Sequence, residues 1–138
     1  MRLPGMLAAM KLVIAVLGLL AVAAQAELKW DTSRKQVTYD GSTKILRTEF
    51  AFTNKGKATA RITSVKSGCK CCTSAKTAKL VFAPGERGAV AVRVDVSGKQ
   101  LPMVKPVVVG TDDGSYVTLL VDVTTPDGAS RLVPKWGK

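Results

Sequence analysis

Ala89-Val90-Ala91-Val92-Arg93-Val94-Asp95-Val96 decides the fold class. Val90, Val92, Val94 and Val96 take every second position, and Ala91, Arg93 and Asp95 alternate with them. Successive side chains of a β-strand point to opposite sides, so this spacing gives one apolar face and one polar face. On a helix the same valines would be spread around the axis instead of forming a stripe. β-branched residues also suit the pleated backbone.

The pattern recurs on both sides of this stretch. Between Tyr116 and Val123, Val117, Leu119, Val121 and Val123 fall on one face. Between Lys44 and Asn54, Thr48, Phe50 and Phe52 share a face. No window after the N-terminus shows the i, i+3, i+4 spacing of an amphipathic helix. The reading predicts seven strands, near 28–39, 44–54, 58–67, 79–83, 88–97, 104–111 and 115–124. Residues that accept tight turns separate most of them: Asp40-Gly41-Ser42, Asn54-Lys55-Gly56, Pro84-Gly85, Ser97-Gly98 and Asp112-Asp113-Gly114. Pro102 and Pro106 point to an edge, or an irregular entry, at the sixth strand. Short strands with turns every 8–12 residues predict an all-β, immunoglobulin-like sandwich with Val, Leu, Ile and Phe buried between two sheets.

Upstream of the strands the character changes. Arg2 and Lys11 are followed by an apolar run of 13 residues, Leu12 to Ala24. Ala24-Gln25-Ala26 then supplies a small-x-small cleavage site, so residues 1–26 read as a secretory signal peptide. The run falls short of the roughly 20 apolar residues needed to cross a bilayer. Contact with a membrane is therefore expected only through the uncleaved signal, and the mature protein is expected to be secreted or periplasmic. The 112 residues left after cleavage suit one domain. We assign 27–125 to the sandwich and 126–138, which carries Trp136, to a C-terminal tail.

The full chain has a formal net charge of +11, unevenly spread. Residues 28–79 carry 12 Lys or Arg against three acids, whereas 80–138 carry seven against six. Such a basic half attracts anionic surfaces over long range in a salt-sensitive way. The expected partner is an envelope protein or an anionic surface. Nucleic acid is not expected, because the few mature aromatics are not interleaved with the basic residues as a stacking platform requires.

Three elements in order are similar to one family. Phe50-Ala51-Phe52-Thr53-Asn54-Lys55-Gly56 resembles the F-x-F-x-N-x-G signature of the bacterial family known as domain of unknown function 1573. A small-residue strand follows, then Ser67-Gly68-Cys69-Lys70-Cys71 in place of the family's Ser-Cys-Gly-Cys, and then Pro84-Gly85-Glu86 before the 88–96 strand. The resemblance covers about residues 45–124. It implies a small exported β-sandwich with no established activity. Lys70 stands where the family has Gly, and Cys72 is an additional cysteine.

All three cysteines lie within four positions, Cys69-Lys70-Cys71-Cys72. An oxidising compartment favours pairing, and one thiol must be left over. Cys69 and Cys72 form a C-x-x-C, which a turn can bring to disulfide geometry, whereas adjacent Cys71 and Cys72 need a strained ring. A Cys69–Cys72 staple of so small a loop contributes of order 2 kcal/mol. No cofactor is expected on that reading. The alternative is soft-metal binding, Cu(I) above all, by Cys69, Cys71 and Cys72, since thiolates select soft ions. Lys66, Lys70, Lys76 and Lys79 would favour thiolate over thiol. Zinc prefers four ligands, and the chain has no His. Thiol–disulfide exchange is the third reading, although such motifs usually open a helix and this one lies between strands.

No enzyme is expected. Without His there is no Ser-His-Asp or Cys-His arrangement. Asp112 and Asp113 are adjacent and read as shaping a turn with Gly114 rather than as an acid–base pair. The glycines mark turns and form no phosphate-cradling loop before a helix.

Overall fold

The computed structural model describes residues 24–68 and 73–135. Most of the signal segment, the three cysteines and Trp136 lie outside the described residues. The described chain is all β: β1 (Leu28–Trp30), β2 (Arg34–Thr38), β3 (Ile45–Asn54), β4 (Ala60–Ser67), β5 (Thr73–Thr77), β6 (Val81–Phe82), β7 (Arg87–Asp95), β8 (Gln100–Leu101), β9 (Met103–Thr111), β10 (Tyr116–Thr124) and β11 (Arg131–Leu132).

Two sheets stack as a sandwich, one in the order β1-β3-β7-β5 and the other β2-β10-β9-β4-β6. β8 and β11 form a separate two-stranded ribbon. Every pairing is antiparallel except β2 with β10, which is parallel. The alternation that decided the fold class is the alternation of burial. Val90, Val92, Val94 and Val96 are buried in the core, while Ala91 and Arg93 face out. Phe50 and Phe52 of β3 and Leu119, Val121 and Val123 of β10 complete the same cluster with Ile62, Val107 and Val109. Trp30, Phe52 and Phe82 contact one another in series, with centroids 4.8 Å apart at both contacts. The second contact is edge-on, the arrangement that ring quadrupoles favour.

The structure departs from the sequence reading in five places. The strand expected over 28–39 is two strands in different sheets. Asp31 N still donates to Ala51 O at 3.0 Å, but Leu120 N donates to Ser33 O at 2.8 Å, so the chain changes sheets between them. Thr32 Oγ1 bridges to the backbone of Arg34 and supports the crossing. A strand not foreseen, β5, follows the cysteines. Its Thr-Ser-Ala-Lys-Thr sequence lacks large apolar residues, yet Thr73 is buried and β5 pairs with β7 from Thr73↔Val94 to Thr77↔Val90. The expected 79–83 strand shrinks to Val81–Phe82. Pro106 lies in an interior strand rather than at an edge. The sheet tolerates it because β4 ends there: its carbonyl accepts from Gly68 N at 3.1 Å, just past the last residue of β4.

The fifth difference is at the C-terminus. The segment read as a tail holds β11, and Val133 is 0% exposed within the core cluster. Gly98 N donates to Val133 O at 3.0 Å, and Val133 N to Lys99 O at 2.9 Å. A single valine between Leu132 and Pro134, both of which are exposed, carries no periodic signal, so its burial was not legible.

Candidate functional site

Three regions merit comparison: the thiol segment, the 111–115 turn and the outer face of the four-stranded sheet.

Cys69, Cys71 and Cys72, the sequence-derived candidates, lie outside the described residues, as does Lys70. The flanking residues are described. β4, which leads into the segment, belongs to the five-stranded sheet, and β5, which leaves it, belongs to the four-stranded sheet. The segment therefore joins the two layers. Its stems are tied together, because Ser67 Oγ donates to Thr73 O at 2.8 Å. Lys66 and Lys76 are exposed. Lys79 is engaged elsewhere: it ion-pairs with Glu86 and its ammonium lies 5.5 Å from the Phe82 ring centroid. Among the described residues no group of three or more Cys, Asp or Glu is arranged to hold a metal ion.

The Asp112–Asp113 turn joins β9 to β10. Asp113 Oδ1 accepts from Thr111 Oγ1 at 2.5 Å, Ser115 Oγ at 2.6 Å and Ser115 N at 2.9 Å. These bonds, Ser115 first and Thr111 next, hold its carboxyl down at about 2. A carboxylate so satisfied is a poor proton acceptor near neutral pH, which agrees with a turn-shaping role. The adjacent cleft, about 270 Å³, runs from Ala26 and Trp30 to Tyr116.

The outer face of the four-stranded sheet was not foreseen as a site. Register places Arg47 of β3 directly opposite Arg93 of β7, and Ser74 of β5 on the far side of Arg93. In the next row outward-facing Glu49, Ala91 and Lys76 lie side by side. Ala91 and Ser74 are small, so the charged side chains stand around a shallow open depression of about 640 Å³. Directly opposed like charges destabilise a sheet. Farther along the same face Arg87 is neutralised, donating to Asp31 Oδ2 at 2.9 Å and to Thr53 Oγ1 at 2.8 Å. Among the described residues no carboxylate makes a close ion pair with Arg47, Arg93 or Lys76, although, after the hydrogen bonds from Ser97, Arg93 helps to hold the Asp95 carboxyl below its ordinary range. Sequence reading found Arg93 to be outward-facing, but the Arg47–Arg93 apposition depends on register between distant strands.

The Asn and Gly of the F-x-F-x-N-x-G stretch do structural work. Asn54 is fully buried. Its Nδ2 donates to Ala58 O at 2.9 Å and Phe82 O at 3.0 Å, and its Oδ1 accepts from Gly56 N at 3.0 Å and Glu27 N at 3.2 Å. All four hydrogen-bonding positions of the amide are thus used.

Comparison with known proteins agrees with the fold. The chain is similar in structure to a protein of unknown function from Porphyromonas gingivalis W83, with a TM-score of 0.62 and 13% identity, over 75% of this chain and 49% of that one. It is also similar to the VesB protease of Vibrio cholerae, with a TM-score of 0.54 and 18% identity, over 71% of this chain and 32% of that one. In both cases the chain spans less than half the length of the other protein, and identities this low show the fold alone. No curated protein matches the sequence. The family described as "Protein of unknown function (DUF1573)" matches residues 28–123, which takes in the aromatic Asn-Gly stretch and the strands that pack on it, and the chain belongs to that family.

Proposed function

We propose that this chain is an exported, non-catalytic β-sandwich module that binds an anionic partner at the cell envelope through the outer face of its four-stranded sheet. The observation that carries the reading is the Arg47–Arg93 apposition, with Lys76 in the neighbouring row. Opposite charges across this pair would favour the sheet, and like charges do not. Two arginines in directly opposed positions beside the small residues Ala91 and Ser74 instead offer donors to a carboxylate or phosphate. The excess of basic residues over 28–79 adds long-range attraction.

Retention on immobilised dextran sulfate, with neutral dextran as the reference, tests this reading across a salt series. The double variant R47S/R93S is compared with K55S/K57S, which removes the same charge from a loop. Net charge alone predicts equal weakening of the two. The proposed site predicts that R47S/R93S loses several-fold more affinity, and equal losses would reject it.

A second reading, Cu(I) binding by Cys69, Cys71 and Cys72, is favoured by one observation: the Ser67–Thr73 hydrogen bond closes the stems of a segment carrying three thiols. Metal analysis of anaerobically purified protein beside C69S/C71S/C72S tests it. Equal copper content in the two proteins would reject it.

A further inference from the structure

Residues 25–27 are built into the domain rather than leading up to it. Lys57 N donates to Gln25 O at 2.8 Å, Ala58 N to the same oxygen at 3.3 Å, and Lys55 N to Glu27 O at 2.7 Å. Glu27 N in turn reaches Asn54 Oδ1 at 3.2 Å. The backbone of 25–27 lies so flat on Gly56 that a Cβ there would sit 2.1 Å from Gln25 O, 2.5 Å from Glu27 N and 2.7 Å from Ala26 C. No real Cβ is accommodated at such distances, so Gly56 is required by this contact. The Asn-x-Gly portion of the motif is thus a clasp around the segment that enters β1.

This clasp bears on the processing site. Cleavage after Ala26, at Ala24-Gln25-Ala26, would discard the carbonyl that satisfies Lys57 and Ala58 and would empty most of the Gly56 notch. A second small-x-small triplet lies three residues upstream, Ala21-Val22-Ala23. We infer that signal cleavage falls after Ala23, so that the exported chain begins at Ala24 and keeps Gln25 and Ala26 as part of the folded domain. Signal peptidase acts on the unfolded chain, so the fold does not shield the Ala26–Glu27 bond. What favours the upstream site is that the domain is completed by the residues it spares.

The inference rests on the export reading, and one experiment separates the two. The full chain is expressed in a bacterium with an envelope, the envelope fraction is recovered, and the protein is examined by intact mass and N-terminal sequencing. A start at Ala24 is expected. A start at Ala26 or Glu27 would overturn the inference and leave export intact, whereas an unprocessed chain would overturn both. A second measurement tests the clasp itself. Urea midpoints are compared for chains beginning at Ala24 and at Glu27, each with and without G56A. The longer chain is expected to be more stable and to lose more on G56A. Equal midpoints of the two unsubstituted chains would overturn the clasp.

Discussion

Asn54 Nδ2 donates to the carbonyl of Phe82 at 3.0 Å, linking the end of β3 to β6 across 28 residues of sequence. That carbonyl is the last of a strand only two residues long, which has little pairing of its own. The same amide also holds the 54–58 turn and the entering N-terminal segment. Three parts of the chain therefore depend on one side chain.

Replacing Asn54 by Ala leaves two carbonyls and two N–H groups without this partner. Water recovers some of them, so the expected loss is roughly 2–4 kcal/mol, about one to two buried unsatisfied groups. N54D should cost at least as much, because a carboxylate cannot donate to Ala58 O or Phe82 O. Urea denaturation checks both. A midpoint within error of the parent would mean that the motif Asn is not structural.

Much of the sandwich was legible because period-two alternation is a local property. The stretch 89–96 reveals its buried face without reference to any other strand. What was not legible depended on distant partners. β5 is polar and forms because β7 offers an open edge, and Val133 is buried because the 96–101 segment receives it. The Arg47–Arg93 pair exists only once the β3–β7 register is set. The cysteine cluster was conspicuous in sequence, but it falls outside the described residues, so ligation is decided by the copper comparison above.

Gly88 illustrates a packing requirement. A Cβ at this position would lie 2.4 Å from the Phe82 ring and 2.6 Å from the Phe52 ring. Those rings already contact each other edge-on, so neither can retreat without losing the pair. G88A should destabilise by about 1–3 kcal/mol through overpacking. It should also change near-ultraviolet circular dichroism, because the Trp30 ring contacts Phe52. A G88A protein as stable as the parent would show that this end of the core is loosely filled.

Asp113 should be among the last carboxylates to protonate as the solution is acidified. Its folded pKa, about 2, lies below the ordinary value because Ser115 and Thr111 donate to the ionised form. The contribution to stability is therefore present above the unfolded pKa near 4 and is lost as pH falls through about 2. Carboxyl NMR titration should give Asp113 a midpoint well below the ordinary aspartate value of about 4. In D113N the lower limit of the acid transition should move upward, and an unshifted acid transition would contradict the assignment.

Val133 tests whether the C-terminal segment belongs to the domain. Fully burying a valine is worth about 1.5–3 kcal/mol, and V133A should lose a large part of that. Truncation after Gly128 should lose more, since it also removes β11 and the bonds that Gly98 and Lys99 make to Val133. Thermal unfolding of the three proteins should rank parent above V133A above the truncation. A truncated chain as stable as the parent would return this segment to the status of a tail.

The Arg47–Arg93 pair separates stability from binding. Because like charges face each other across β3 and β7, R93S should leave the fold unchanged or stabilise it by a few tenths of a kcal/mol. The gain should shrink as salt screens the repulsion. If the pair is kept for an anionic partner, the same substitution should weaken retention on dextran sulfate. A residue retained for folding would show the reverse, a loss of stability with retention untouched. Measuring both quantities on one variant distinguishes a binding face from an accident of register, and a destabilised R93S with full retention would remove the argument for the site.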